Sequence, residues 1–124
     1  MKLTMVGTGY VGLVTGACFA NTGNDVACLD IDEEKIARLN AGEVPIYEPH
    51  LGELMARNAE RLTYTTDKRR AYEGVDVIFI CVGTPDRNGS PDLSYVMQAA
   101  TDIAEILEAT GPRERAAQIG RAHV

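Results

Sequence analysis

The sequence has no tryptophan, no basic stripe and no long apolar run, and its few cysteines follow no metal-ligand or disulfide spacing. The longest apolar runs fall far short of the roughly 20 residues that cross a bilayer. Met1-Lys2 leads directly into a short apolar segment instead of a leader, so a cytoplasmic protein is expected. A net charge of -6 opposes the counterion release on which nucleic-acid binding depends, so DNA, RNA and anionic membranes are poor partners. Cys18, Cys28 and Cys81 lie far apart, each inside an apolar stretch, and read as reduced core thiols. The missing tryptophan leaves the near-ultraviolet emission window free of any indole signal.

What is present suits one folded domain. A chain of 124 residues leaves no room for a second domain of ordinary size, and a hydrophobic fraction of 45% is enough to bury a core. Short apolar strands alternate with helical segments, the pattern of an α/β fold with a Rossmann-type parallel sheet and flanking helices. Residues 2–7 (KLTMVG) read as a first strand, and residues 10–22 as a buried helix ending near Gly23. Residues 25–30 (DVACLD) read as a second strand. Asp32 then caps a helix whose first turn carries Glu33 and Glu34, with Gly42 past its end. Two prolines make residues 43–49 (EVPIYEP) a loop, followed by an amphipathic stretch over 51–60 and a short strand over 61–64. Residues 66–72 suit a small helix. The nearly continuous apolar run 75–82 (VDVIFICV) suits a strand buried on both faces. Residues 86–91 read as a loop, and Asp92 caps a helix through Val96, Ile103 and Leu107.

The sharpest chemical signal is Gly7-Thr8-Gly9-Tyr10-Val11-Gly12, a G-x-G-x-x-G that follows a strand and opens a helix. Gly7 serves the tight turn, Gly9 lets the backbone approach a pyrophosphate, and Gly12 permits close packing of helix on strand. The amides of Tyr10 and Val11 then face the phosphates, with the helix dipole behind them. Asp30 closes the second strand 18 residues after Gly12. That is near the roughly 20-residue spacing at which an acid accepts from the adenosine ribose hydroxyls. A carboxylate there also repels a 2′-phosphate, which favours NAD over NADP; Asp32 is a rival for the role. Lys35 reads equally well as a solvated helix lysine. Gly83 and Thr84 end the strongest strand on the side where open α/β sheets bind ligands, and read either as cofactor contacts or as a simple turn.

Four blocks in order, GTGYVGLVTGACFA, CLDID, VPIYEP and FICVGTP with DLSYV, together resemble the UDP-glucose/GDP-mannose dehydrogenase family over residues 1 to about 108. Within it they are most similar to the bacterial branch that oxidises UDP-glucose. The resemblance implies a two-step oxidation of a nucleotide sugar's primary alcohol to a carboxylate, with two NAD and a cysteine-bound intermediate, in an oligomer of identical subunits. It implies that Gly7, Gly9, Tyr10, Val11 and Gly12 hold the pyrophosphate, Asp30 and Lys35 the adenosine ribose, and Thr84 the cofactor near its second ribose. His50 departs from the family, whose YEP block usually continues with glycine.

Residues 1–108 therefore read as an incomplete NAD-binding domain, cut after the fourth strand and the helix behind it. Residues 109–124 read as an atypical tail, with three arginines within nine residues and no apolar run fit for a fifth parallel strand. The serine-threonine-valine-proline block expected next is not recognisable. No catalytic residue is assigned, and none of the three cysteines matches the nucleophile's motif. The chain by itself is expected to be inactive toward UDP-glucose. A sheet ending at residues 75–82 has a long apolar edge, which either pairs with another copy or is covered by the tail. Three readings compete: the coenzyme part of a nucleotide-sugar dehydrogenase acting on UDP-glucose, GDP-mannose or UDP-N-acetylmannosamine; a non-catalytic NAD-binding module; and an S-adenosylmethionine methyltransferase. The glycine spacing and the FICVGTP block disfavour the last.

Overall fold

The computed structural model describes residues 1–45, 48–109 and 118–121, the last four by their backbone. The strands are β1 (Lys2–Val6), β2 (Asp25–Leu29), β3 (Leu62–Thr65), β4 (Val77–Ile80), β5 (Asp86–Arg87), β6 (Ser90–Pro91) and β7 (Gln118–Arg121). The helices are α1 (Tyr10–Asn21), α2 (Glu33–Asn40), α3 (Leu51–Arg57), α4 (Lys68–Tyr72) and α5 (Ser94–Ala109). Five strands form one parallel sheet in the order β3-β2-β1-β4-β7. Among the described residues, no helix is long and apolar enough to cross a membrane.

Both faces of the sheet are covered, which is why the inner strands read as continuous apolar runs. Side chains alternate along a strand, so Leu3 and Met5 pack to one face with Val26 and Cys28 of β2, beneath Leu13 and Ala17 of α1. Ile36, Leu39, Leu51 and Met55 of α2 and α3 extend that core. Val6, Ala27, Leu29, Ile78 and Ile80 pack to the other face against Ala71 and Tyr72 of α4 and Ala99 and Ile103 of α5. Thr4 is fully buried on this second face, where its hydroxyl donates to the Ala71 carbonyl. Helix ends follow the sequence: the Asp32 carboxylate accepts from the Lys35 amide at 3.1 Å, and the Asp67 carboxylate caps α4 by accepting from the Arg70 amide.

The fold class agrees with the sequence expectation, but the sheet does not stop at its fourth strand. Residues 118–121 pair in parallel with β4, Val77 opposite Gln118 through Ile80 opposite Arg121. A ladder is built from backbone N–H and C=O groups, which any sequence without proline supplies, so an apolar run is not required at an edge. β4 is therefore paired on both sides, and of the two fates expected for its edge the tail's is the one observed. The rest of the tail, 110–117 and 122–124, lies outside the described residues, as do positions 46 and 47 of the EVPIYEP loop.

Two local expectations are corrected. Residues 86–91 are a hairpin, not a loop: β5 and β6 pair antiparallel across Asn88 and Gly89, whose φ values are +54° and +84°. Asn-Gly at a two-residue connection is the strongest short-range hairpin signal, because both central residues need positive φ. Cys28 and Cys81 are buried as expected, but Cys18 is exposed on the outer side of α1. A helix of small apolar residues carries no pattern that marks which face meets the sheet. Burial, and to a lesser degree the neighbouring Cys81, pushes the Cys28 thiol up to about 12, and burial also raises that of Cys81.

His50 precedes α3 with φ +72°, in the left-handed region. That is the position where the resemblance anticipates glycine, so the backbone keeps the glycine-type turn and His50 carries the strain. Replacing a non-glycine residue there recovers about 1–2 kcal/mol of strain, offset by roughly 0.5–1 kcal/mol of added chain entropy in the unfolded state. His50→Gly is expected to stabilise the fold by about 0.5 kcal/mol, read as a higher urea midpoint with an unchanged slope. A lower midpoint would contradict this account of the turn.

Candidate functional site

The β1–α1 loop is held by contacts that leave no space for side chains. The Gly7 amide donates to the Leu29 carbonyl at 2.7 Å, tying the loop to the end of β2. Gly7 has φ +108°, and a Cβ on it would lie 2.7 Å from the Cys81 carbonyl oxygen. A Cβ on Gly12 would lie 2.0 Å from the Gly7 carbonyl oxygen, so α1 sits on the loop as closely as its backbone allows. Gly9 is the opposite case, since a Cβ there would meet nothing within 4 Å. Gly9 opens α1 with no side-chain cap and no acid in the first turn, so the positive end of the helix faces open space.

That space is a cleft of about 380 Å³ at the carboxyl end of the strands. Gly7, Gly9, Tyr10, Val11, Asp30 and Lys35 line it, together with Thr8, Ile31, Cys81, Val82 and Gly83. Two candidate residues do not line it. Gly12 lies beneath the loop, where its role is packing, and half-buried Thr84 sits one residue beyond Gly83. Asp32, its rival in the sequence, is outside the cleft and caps α2, whereas Asp30 lines the cleft.

Asp30 is anchored from two directions. One oxygen, Oδ2, accepts from the Thr8 amide at 2.9 Å and from the Thr8 hydroxyl at 2.6 Å. The other, Oδ1, accepts from the Asp32 amide at 3.0 Å. The Lys35 ammonium lies 3.9 Å from Oδ2. Burial pushes this carboxyl up, but the Thr8 hydroxyl, the Asp32 and Thr8 amides and the Lys35 charge together outweigh it and hold it below the usual carboxylate range. Asp30 is thus ionised and oriented, with acceptor capacity left toward the cleft. Thr8, only 1% exposed, is the functional residue that sequence reasoning passed over. It occupies a variable position of the glycine motif, and nothing local marks it as the partner of an acid 22 residues away. The far wall was missed too: Tyr95, Gln98, Ala99 and Asp102 of α5, with Lys68 and Tyr72 of α4.

A glycine loop wedged between parallel strands, an uncapped helix start and an oriented acid at the end of the second strand define a dinucleotide-binding α/β domain. The model of the UDP-glucose/GDP-mannose dehydrogenase family, NAD binding domain, matches residues 1–111, and the chain belongs to that family of NAD-dependent nucleotide-sugar dehydrogenases. It is 53% identical over 112 residues to a UDP-glucose 6-dehydrogenase of Rhizobium meliloti, covering 87% of this chain and 26% of that protein. It is 51% identical over 109 residues to UDP-glucose 6-dehydrogenase TuaD of Bacillus subtilis, covering 86% and 24% respectively. A ternary complex of GDP-mannose dehydrogenase from Pseudomonas aeruginosa superposes with a TM-score of 0.89 at 35% identity, over 98% of this chain and 28% of that one. The chain therefore spans about a quarter of the length of the relatives it matches.

The Thr8–Asp30 bond sets a pH dependence. Because the folded carboxyl titrates below its unfolded value of about 3.9, its stabilisation is fully present above that value and is lost as pH falls through the folded one. Thr8→Val removes a charge-assisted hydrogen bond worth about 1.5–3 kcal/mol and is expected to raise the Asp30 carboxyl, so that acid destabilisation begins at higher pH. Thr8→Ser keeps the hydroxyl and should restore both stability and titration. Carbon-13 titration of Asp30 with urea melts from pH 7 to pH 3 checks this; identical curves for wild type and Thr8→Val would remove Thr8 from the role.

Proposed function

We propose that this chain binds NAD in the cleft and serves as the coenzyme-binding part of a UDP-glucose 6-dehydrogenase. The observation that carries the reading is Asp30, ionised and aimed by Thr8, beside a loop whose Gly9 leaves open space over an uncapped helix start. The fit to a dinucleotide is chemical. The first-turn amides at Tyr10 and Val11 suit a pyrophosphate, with Gly9 allowing its approach and Gly7 and Gly12 holding the loop and α1 close enough to present those amides. The Asp30 acceptors and the Lys35 donors suit the hydroxyls of the adenosine ribose. Thr84, just past the cleft wall, is assigned to the side of the second ribose. Bound there, NAD supplies the hydride acceptor for oxidation of the sugar's primary alcohol.

The chain's own residues bind and orient, and none is assigned to bond breaking. Cys28 and Cys81 are buried with raised thiols, which makes both poor nucleophiles at neutral pH. UDP-glucose is the proposed substrate of the whole protein, supported by two relatives above 50% identity that carry that name. GDP-mannose is the second reading, supported by the TM-score of 0.89 to a GDP-mannose dehydrogenase. The proposed assembly is an oligomer of identical subunits.

The test is a fluorescence titration of the chain with NADH and NADPH in parallel. NADH should bind saturably and more tightly than NADPH, whose 2′-phosphate meets the Asp30 charge. Asp30→Ala should weaken NADH about tenfold or more, the loss of one or two charged hydrogen bonds, and narrow the preference. No saturable binding of either nucleotide would sink the coenzyme reading. Purified alone, the 124-residue chain is expected to give no turnover of UDP-glucose with NAD, and measurable NADH production would contradict the assignment of catalysis elsewhere.

A further inference from the structure

We infer that the outer flank of α5 pairs two copies of this chain, antiparallel and across a two-fold axis. The inference gives the proposed assembly of identical subunits a surface and does not depend on the coenzyme reading.

Three sides of α5 meet different surroundings. Buried Ala99 and Ile103, with Val96 and Ile106 packed beside them, face the sheet. Tyr95, Gln98 and Asp102 line the cleft on one flank. Leu93, Met97, Ala100 and Ala104 are exposed and, at about 100° per residue, fall together on the opposite flank. Leu93 belongs to the series because its carbonyl accepts from the Met97 amide at 2.9 Å, the bond that starts the helix. Leu93 is 44% exposed and Met97 64%, so this flank presents two large apolar side chains to water. The steps of four, three and four residues along the series are those of a coiled-coil seam, the line on which one helix meets another.

The order of sizes selects the occupant. Large residues fill the first half of the series and alanines the second. Turned antiparallel about a two-fold axis midway along it, Leu93 of one copy faces Ala104 of the other and Met97 faces Ala100, so large meets small at each level. A parallel pair would set leucine on leucine and leave alanine opposite alanine across a gap.

Charge agrees with that orientation. The last two turns of α5 carry Glu105 and Glu108 and no basic residue, the wrong sign for a helix's own carboxyl end. The first turn has no acid, and Asp92 just before it is paired with Arg87 at 3.1 Å. Antiparallel packing lays the two glutamates beside the positive end of the second copy's helix. One helix face is smaller than a standard interface, so the pair is weak and its population follows concentration.

Sedimentation equilibrium of the full chain, from micromolar to millimolar concentration, should show monomer and dimer and no larger species, since a two-fold pair closes on itself. Met97→Glu brings a charge into the seam and should weaken the dimer about tenfold or more. Ala100→Leu separates this pairing from general stickiness. It adds apolar surface, which would strengthen nonspecific association, but it sets a second large side chain against Met97 and should weaken this dimer. Both positions are exposed, so far-ultraviolet circular dichroism and the urea midpoint should match wild type, which distinguishes lost pairing from lost folding. A monomer at every concentration would leave the flank to another segment or partner and overturn the proposal. A dimer untouched by Met97→Glu, or strengthened by Ala100→Leu, would overturn it too, while leaving the assembly of identical subunits to a different surface.

Discussion

Everything at the mouth of this sheet depends on backbone meeting backbone at Gly7. Its amide is bonded to the end of β2, its Cα faces the end of β4, and its carbonyl lies under the start of α1. Three elements converge on one residue, and none could approach if Gly7 or Gly12 carried a side chain. The same contact sets the height of α1 above the sheet and the direction in which its first turn points. It brings Thr8 to Asp30. A single steric constraint thereby links the packing of the first core to the geometry of the cleft.

Electrostatics then gives the cleft its character. The overall charge is negative, yet the cleft offers an anion the positive end of α1 and the ammonium groups of Lys35 and Lys68. Its two carboxylates are each bonded by neighbours that hold them ionised and oriented. Acceptors fixed in this way are oriented before any donor arrives, which lowers the cost of ordering on binding. A second phosphate beside Asp30 would meet an ionised acid that cannot turn away, because Thr8 and Asp32 hold both of its oxygens.

The outer strands obey weaker rules than the inner ones. β1, β2 and β4 are covered on both faces by helices and must be apolar along their length. β7 needs only a free ladder beside it, and β4 supplies one. The short hairpin after β4 answers to turn chemistry alone, and its base is closed by the Asp92 amide donating to the Pro85 carbonyl at 2.7 Å.

By itself the sequence determined the α/β class, the inner strands, the helix cap at Asp32, and the glycine loop with its acid at position 30. These follow from local rules: apolar periodicity, capping chemistry and the steric need for glycine act within a few residues of where they are written. Tertiary structure decided the rest. The Thr8 hydroxyl finds Asp30 only after β1 and β2 lie side by side. The wall made by Lys68, Gln98 and Asp102 exists only after α4 and α5 pack on the same face. The exposure of Cys18 and the fifth strand belong here too, since a uniformly apolar helix does not say which side it buries and a ladder leaves no signature in side chains. Contacts between residues distant in sequence are set by packing, and packing is a property of the assembled core.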